Sequence, residues 1–323
     1  NMITKKDTFQ LSFFFIIMFF LPVILNSFQG GGYYIGIFVP IGFFTLTALG
    51  LNLLIGFAGQ ISLGHAGFMT IGAYSSVYIC NKLGYSALYG FALSILLNFI
   101  IGFLISKPIL KLKGHYLAMA TLGIGLIIQI ISREFMYFGG GEGISLPDLK
   151  IFDFNFNDFK HKEFAYYYLV WLLNFCVLKL SLNFINSKAG RALKALHINE
   201  LAAQSLGINV TAYKTFIFVF STILAGISGS IAAHYNSYIL PTTFDLHTSI
   251  KLVTMVILGG TLNIWGTLFG VFILMIIPEL LGKFDEYEGI VLGAVLIVIL
   301  LFLPDGLTSI PKKLKRLCFK NNG

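Results

Sequence analysis

The chain has 323 residues, 57% of them hydrophobic and only 11% charged, with a mean hydropathy of +0.85. Soluble domains carry about a quarter charged residues, so this composition excludes them and indicates an all-α, polytopic transmembrane bundle. The formal net charge of +8 does not imply nucleic acid, because the basic residues sit in short loops and in the tail Lys312, Lys313, Lys315, Arg316 and Lys320, where they act as topology signals.

A helical span needs about twenty apolar residues, or fewer where it is broken inside protein. From Lys5 and Lys6, residues 9–28 form an uncleaved first span running outward. Residues 34–56 return, 67–80 exit, 88–106 re-enter towards Lys107, Lys111 and Lys113, and 115–132 exit again. A long extracytoplasmic loop, 133–164, precedes the inward span 165–182. Beyond the polar stretch 187–210, spans follow at 213–234, 249–258, 265–281 and 289–303. This makes ten crossings of a single domain over 1–323 and puts both termini in the cytoplasm, on the side where the short loops carry their lysines and arginines.

Residues 187–210, SKAGRALKALHINELAAQSLGINV, form the one polar, helix-prone stretch between long apolar runs. Lys188, Arg191 and Lys194 place it in the cytoplasm. Asn199 is a helix cap, Glu200 suits the positive end of the helix dipole, and Gly207 supplies a left-handed stop. These signals predict a short helix from Glu200 to Leu206, roughly 10 Å long. Such a helix is too short to stand alone in water, so it needs a partner.

Two stretches interrupt the apolar pattern with glycine and polar groups. The first contains Gly59, Gln60, Ser62 and His65, just after Asn52; the second contains Gly259, Gly260 and Asn263. Irregular backbone at membrane depth occurs where it is buried in protein or lines a wet cavity, and paired breaks point to a transport path. The other reading is that these glycines serve close helix packing. For His65 alone, a buried histidine bonded to a backbone carbonyl is the plainer account. Asn98, Gln129 and Asn174 fit either packing or path lining. Cys80, Cys176 and Cys318 lie too far apart to suggest a disulfide frame or a metal site, and the histidines show no metal spacing. No GxxxxGK[S/T] motif occurs, so the chain has no P-loop with which to hold ATP.

The run ALGLNLLIGFAGQISLGHAGFMTIGAY at 48–74 resembles the signature of permeases of branched-chain amino-acid ABC importers, of the LivM type. Further matches lie in the family's order: GHYLAMATLG at 114–123, GGGEGI at 139–144, GRALKA at 190–195 followed by Ala202, Ala203, Leu206 and Gly207, and VILGG at 256–260 with Trp265-Gly266 and Pro278-Glu279. The resemblance covers about residues 45–305. It implies ten helices in the vitamin B12-importer-like arrangement, a bacterial plasma-membrane location, a LivH-type permease partner, two ATPase subunits and an external substrate-binding protein. No cofactor is expected on this chain, since ATP and Mg would be held by the ATPases.

The resemblance also implies that Glu200, Leu201, Ala202, Ala203, Leu206 and Gly207 form the coupling helix seated on an ATPase. The family usually carries more acid just before this point, where this chain has His197, Ile198 and Asn199. Leu, Ile and Val are the implied cargo, with a related sugar or nucleoside importer as the near alternative. An ion-coupled secondary transporter would need buried carboxylates, which the spans lack.

Overall fold

The computed structural model describes residues 5–27, 31–134, 140–147, 149–151, 154–155 and 162–280, together with 293, 294 and 297. In hydrocarbon each backbone N–H and C=O must be paired within the protein, so the apolar stretches become helices. In chain order these are α1 (Lys5–Asn26), α2 (Gly31–Asn52), α3 (His65–Val77), α4 (Ala87–Ile109), α5 (His115–Glu134) and α6 (Lys162–Asn186), then α7 (Lys188–Ile198), α8 (Glu200–Ser205), α9 (Val210–Asn236), α10 (Leu246–Gly259) and α11 (Ile264–Leu280). α2 and α3 each continue into a π-helical turn, Leu53–Phe57 and Tyr78–Lys82.

Each expected span up to residue 281 coincides with one helix. Among the described residues, six helices are long and apolar enough to cross a membrane. α3, α10 and α11 are shorter, at 13, 14 and 17 residues. Most of the expected span 289–303, the basic tail and, within the loop 133–164, residues 135–139, 148, 152–153 and 156–161 lie outside the described residues.

The bundle is built around α2 and α9, each with 78% of its most apolar window buried, whereas the corresponding figure for α1 and α5 is 17%. Helices with such exposed apolar faces suit a lipid environment. Inside the bundle, glycine allows backbones to touch. A methyl group on Gly72 would fall 2.0 Å from the Gly226 carbonyl oxygen, and one on Gly229 2.0 Å from that of Met69, so α3 and α9 meet with no side chain between them. Ser76 and Ser230 are hydrogen-bonded along the same seam. Asn174 donates to the Gly42 carbonyl at 2.8 Å and ties α6 to α2. Buried hydroxyls of Thr45, Thr70 and Ser221 donate to carbonyls one turn back on their own helices.

At one end of the bundle, two connections that the sequence leaves as plain loops pair with each other. β1 (Ile144–Ser145) runs antiparallel to β4 (Tyr238–Ile239), and Leu146 donates to the Ser237 carbonyl at 2.9 Å. β2 (Lys150–Ile151) pairs with β3 (Phe154–Asn155). The opposite end carries α7 and α8.

Candidate functional site

The polar stretch 187–210 folds as two helices. Ser187 caps α7, its hydroxyl accepting from Gly190 N–H at 3.3 Å, and Leu193 and Leu196 are buried against the bundle. Asn199 then serves both helices. Its N–H closes α7 on the Ala195 carbonyl at 3.0 Å, and its side chain caps α8 by accepting from Ala202 N–H at 3.1 Å. Gly207, at φ +80°, ends α8 in the left-handed region as the sequence predicts. α8 therefore spans Glu200–Ser205, one residue short of the expected end.

Glu200 is engaged within the chain. It accepts from Lys214 Nζ at 3.0 Å, with Lys113 Nζ at 3.9 Å, which pins the start of α8 to the first turns of α9. The six residues expected to dock therefore divide by direction. Ala203 is buried at 1% exposure and faces the bundle, whereas Leu201 is 71% exposed and Leu206 79%, with Ile198 beside them at 84%. Ala202 and Gly207 are also exposed. Ile198, Leu201 and Leu206 thus form an exposed apolar patch on and beside a short helix that an ion pair and the Asn199 cap hold in place.

The two broken stretches meet each other. Asn52 donates to the Gly260 carbonyl at 3.4 Å, and a methyl group on Gly56 would fall 1.6 Å from the Thr261 carbonyl oxygen. Gly260 holds φ +104°, a conformation open to glycine. Asn263 caps α11, its side chain accepting from Trp265 N–H at 3.0 Å. Gly259 lies against Gly266, where a methyl group would come within 2.2 Å of the carbonyl oxygen. Close packing thus accounts for Gly56 and Gly259, and helix capping for Asn263.

The stretch from Gly59 to His65 keeps more polar character. Gly59 is exposed, at φ +66°, whereas Gln60 and Ser62 are buried. Neither end of the buried Gln60 amide meets a protein partner. His65 bonds Ser62 Oγ through Nδ1 and Ser221 Oγ through Nε2, both at 3.0 Å. Ser221 already donates to the Phe218 carbonyl at 2.8 Å, so its oxygen accepts from the ring, and in the neutral ring the proton sits on Nε2. Sequence reasoning expected a backbone carbonyl here. The partners are two hydroxyls instead, Ser62 three positions before it and Ser221 156 positions away, and the second is one that no local signal could reveal.

Next to His65, Ala66 N–H donates to Ser249 Oγ at 3.1 Å. The first turns of α3 and α10 thus converge on a narrow cleft that Gln129 and Asp245 also line. Among the described residues no group of three or more His, Cys, Asp or Glu could hold a metal ion.

Helices with broken backbone at their meeting point, and a polar helix pair at one end of an apolar bundle, define an integral membrane transport component. The chain belongs to the family described as branched-chain amino acid transport system / permease component, which matches residues 33–300. It is 30% identical over 285 residues to the high-affinity branched-chain amino acid transport system permease protein LivM of Salmonella typhimurium, covering 82% of this chain and 67% of that protein. It is 24% identical over 321 residues to the probable LivM permease protein of Methanocaldococcus jannaschii, covering 84% and 91%. It is 25% identical over 291 residues to the LivH permease protein of Escherichia coli, covering 83% and 92%. No solved structure matches the chain. As a permease it is a transport subunit and not an enzyme.

Proposed function

We propose that this chain is the LivM-type permease subunit of an ATP-driven importer of Leu, Ile and Val, in which α8 is the coupling helix. The observation that carries this reading is α8 itself. Its Leu201 and Leu206 project outward, while Ala203 and the Glu200–Lys214 pair hold it to the bundle. In this reading the α7–α8 end is cytoplasmic and the β1–β4 end external, in a bacterial inner membrane, with both termini inside. In this reading the chain crosses the membrane ten times, in the vitamin B12-importer-like arrangement.

The partners are a LivH-type permease, two ATPase subunits that hold ATP and Mg, and an external binding protein received by the loops 133–164 and 236–248. Closure of the ATPases moves α8 and rocks the helices between outward and inward access. Asn52, Gly59, Gln60, Ser62, His65, Gly259, Gly260 and Asn263 line or frame the path. The related alternative is a sugar or nucleoside importer, and the ligand retained by the cognate binding protein decides between the two.

The test co-purifies the chain with its ATPases after Leu201→Asp and Ala202→Arg, both at outward-facing positions. The expected result is loss of the ATPases and of leucine uptake, with the permease itself still folded. Retention of both would sink the docking role.

A further inference from the structure

We infer that α7 is the strut through which α8 acts on the broken stretch after α2, with Lys194 and His197 as positioning residues of the transport cycle; this rests on the reading of α8 as the docking helix. The strut is stiff at its joint with α8. A single residue, Asn199, closes one helix and caps the other, with bonds at 3.0 and 3.1 Å, so no slack linker separates them. At its other end, α7 turns tightly out of α6, where a methyl group on Gly190 would fall 2.2 Å from the Ile185 carbonyl oxygen. Leu193 and Leu196 keep one side of α7 against the bundle.

The two side chains that reach the broken stretch sit one helical turn apart on α7. Lys194 Nζ lies over the Phe57 ring, 5.9 Å from its centre, at the end of the π-helical turn. His197 covers Gly59, where a methyl group would come within 3.1 Å of Nδ1. The struck segment is compliant for identifiable reasons. It begins in a π-helical turn, it passes through the left-handed Gly59, and the Gln60 side-chain amide has no protein partner, its backbone N–H reaching the Leu54 carbonyl at 3.1 Å. By contrast α9, to which α8 is tied through Glu200 and Lys214, is a continuous helix of 27 residues packed on α2, α3 and α4. A displacement of α8 therefore finds its yielding element through α7, at Phe57 and Gly59. The same segment leads directly to Ser62 and His65, and so to the meeting point of α3 and α10.

The experiment uses the full transporter, with its partner subunits, in proteoliposomes with binding protein and leucine, and reads uptake per ATP hydrolysed. Lys194→Ala with His197→Ala alters two exposed side chains. The expected outcome is ATPases still bound and still hydrolysing, with uptake per ATP reduced at least about 5-fold, the lower range of an allosteric coupling. An unchanged ratio overturns the inference, as does loss of the bound ATPases, which would make α7 part of the docking surface. Leu201→Asp run in parallel separates the two readings: ATPases that remain bound to it disprove the docking role of α8, whereas failure at positions 194 and 197 alone disproves only the strut.

Discussion

Several residues here act through shape alone, and Gly56 is the sharpest case. A methyl group there would sit 1.6 Å from the Thr261 carbonyl oxygen and 2.6 Å from its carbon. Both are backbone atoms, so no rotamer change can relieve the clash, and the two broken stretches must separate. Overpacking typically destabilises by about 1–3 kcal/mol; Gly56→Ala is expected at or above the top of that range, as a lowered melting temperature of the detergent-purified protein together with lost uptake. His65 acts through hydrogen bonds instead. His65→Ala strips Ser62 of its ring partner and opens a hole beside Phe68 and Ser221. Leaving a buried hydroxyl unsatisfied costs about 1–3 kcal/mol. His65→Asn, which can reach at most part of the same pair, should recover some of that loss in the same melting assay.

At the scale of elements, the polar helix pair shows what local sequence can and cannot convey. The Asn199 cap and the Gly207 stop are chain-local signals, and α8 forms between them as expected. The direction in which each α8 residue points depends on α9 and the α4–α5 connection, so the burial of Ala203 and the pairing of Glu200 with Lys214 and Lys113 had no local signature. That pairing makes a prediction. Lys214 is only 10% exposed and its partner 27%, so removing Glu200 strands a largely buried charge, whereas removing both partners does not. Glu200→Ala should loosen α8 by about 1–3 kcal/mol, less than for a fully buried pair because Glu200 still sees water. Hydrogen exchange of the Ala203 and Leu206 amides reads this directly. Glu200→Leu with Lys214→Met should protect those amides better than Glu200→Ala alone; equal exchange in the two would mean that the ion pair contributes nothing to holding α8.

For the whole molecule, length and hydropathy were enough to locate the apolar helices among the described residues, because hydrocarbon leaves the backbone few alternatives to a helix. They could not say which helices lie inside. α2 and α5 are both apolar runs of span length, yet one is mostly interior and the other mostly outward-facing. The interior seams lie where glycine and small residues match across long sequence separations: Gly50 against Ser221, Gly72 against Gly226, Gly102 against Thr222. The β1–β4 pairing was hidden for the same reason, since its strands are separated by four helices. The α3–α9 seam is where this matching can be tested at full scale. Gly72→Val would place a branched side chain where the Gly226 carbonyl oxygen already lies 2.0 Å from the added carbon. Helix α3 would have to leave α9, and with it would move His65, Ala66 and the bonds to Ser221 and Ser249. A wedge at one seam should therefore reach the candidate path as well as the packing. The expected result is a loss of about 3 kcal/mol or more, beyond ordinary overpacking, seen as a lower melting temperature with greater labelling of Cys80, which is buried on the turn that continues α3. Gly123→Val, at a position where an added carbon meets nothing within 4 Å, is the control and should leave both readouts unchanged. Equal behaviour of the two variants would mean that the helices do not meet backbone to backbone at this seam.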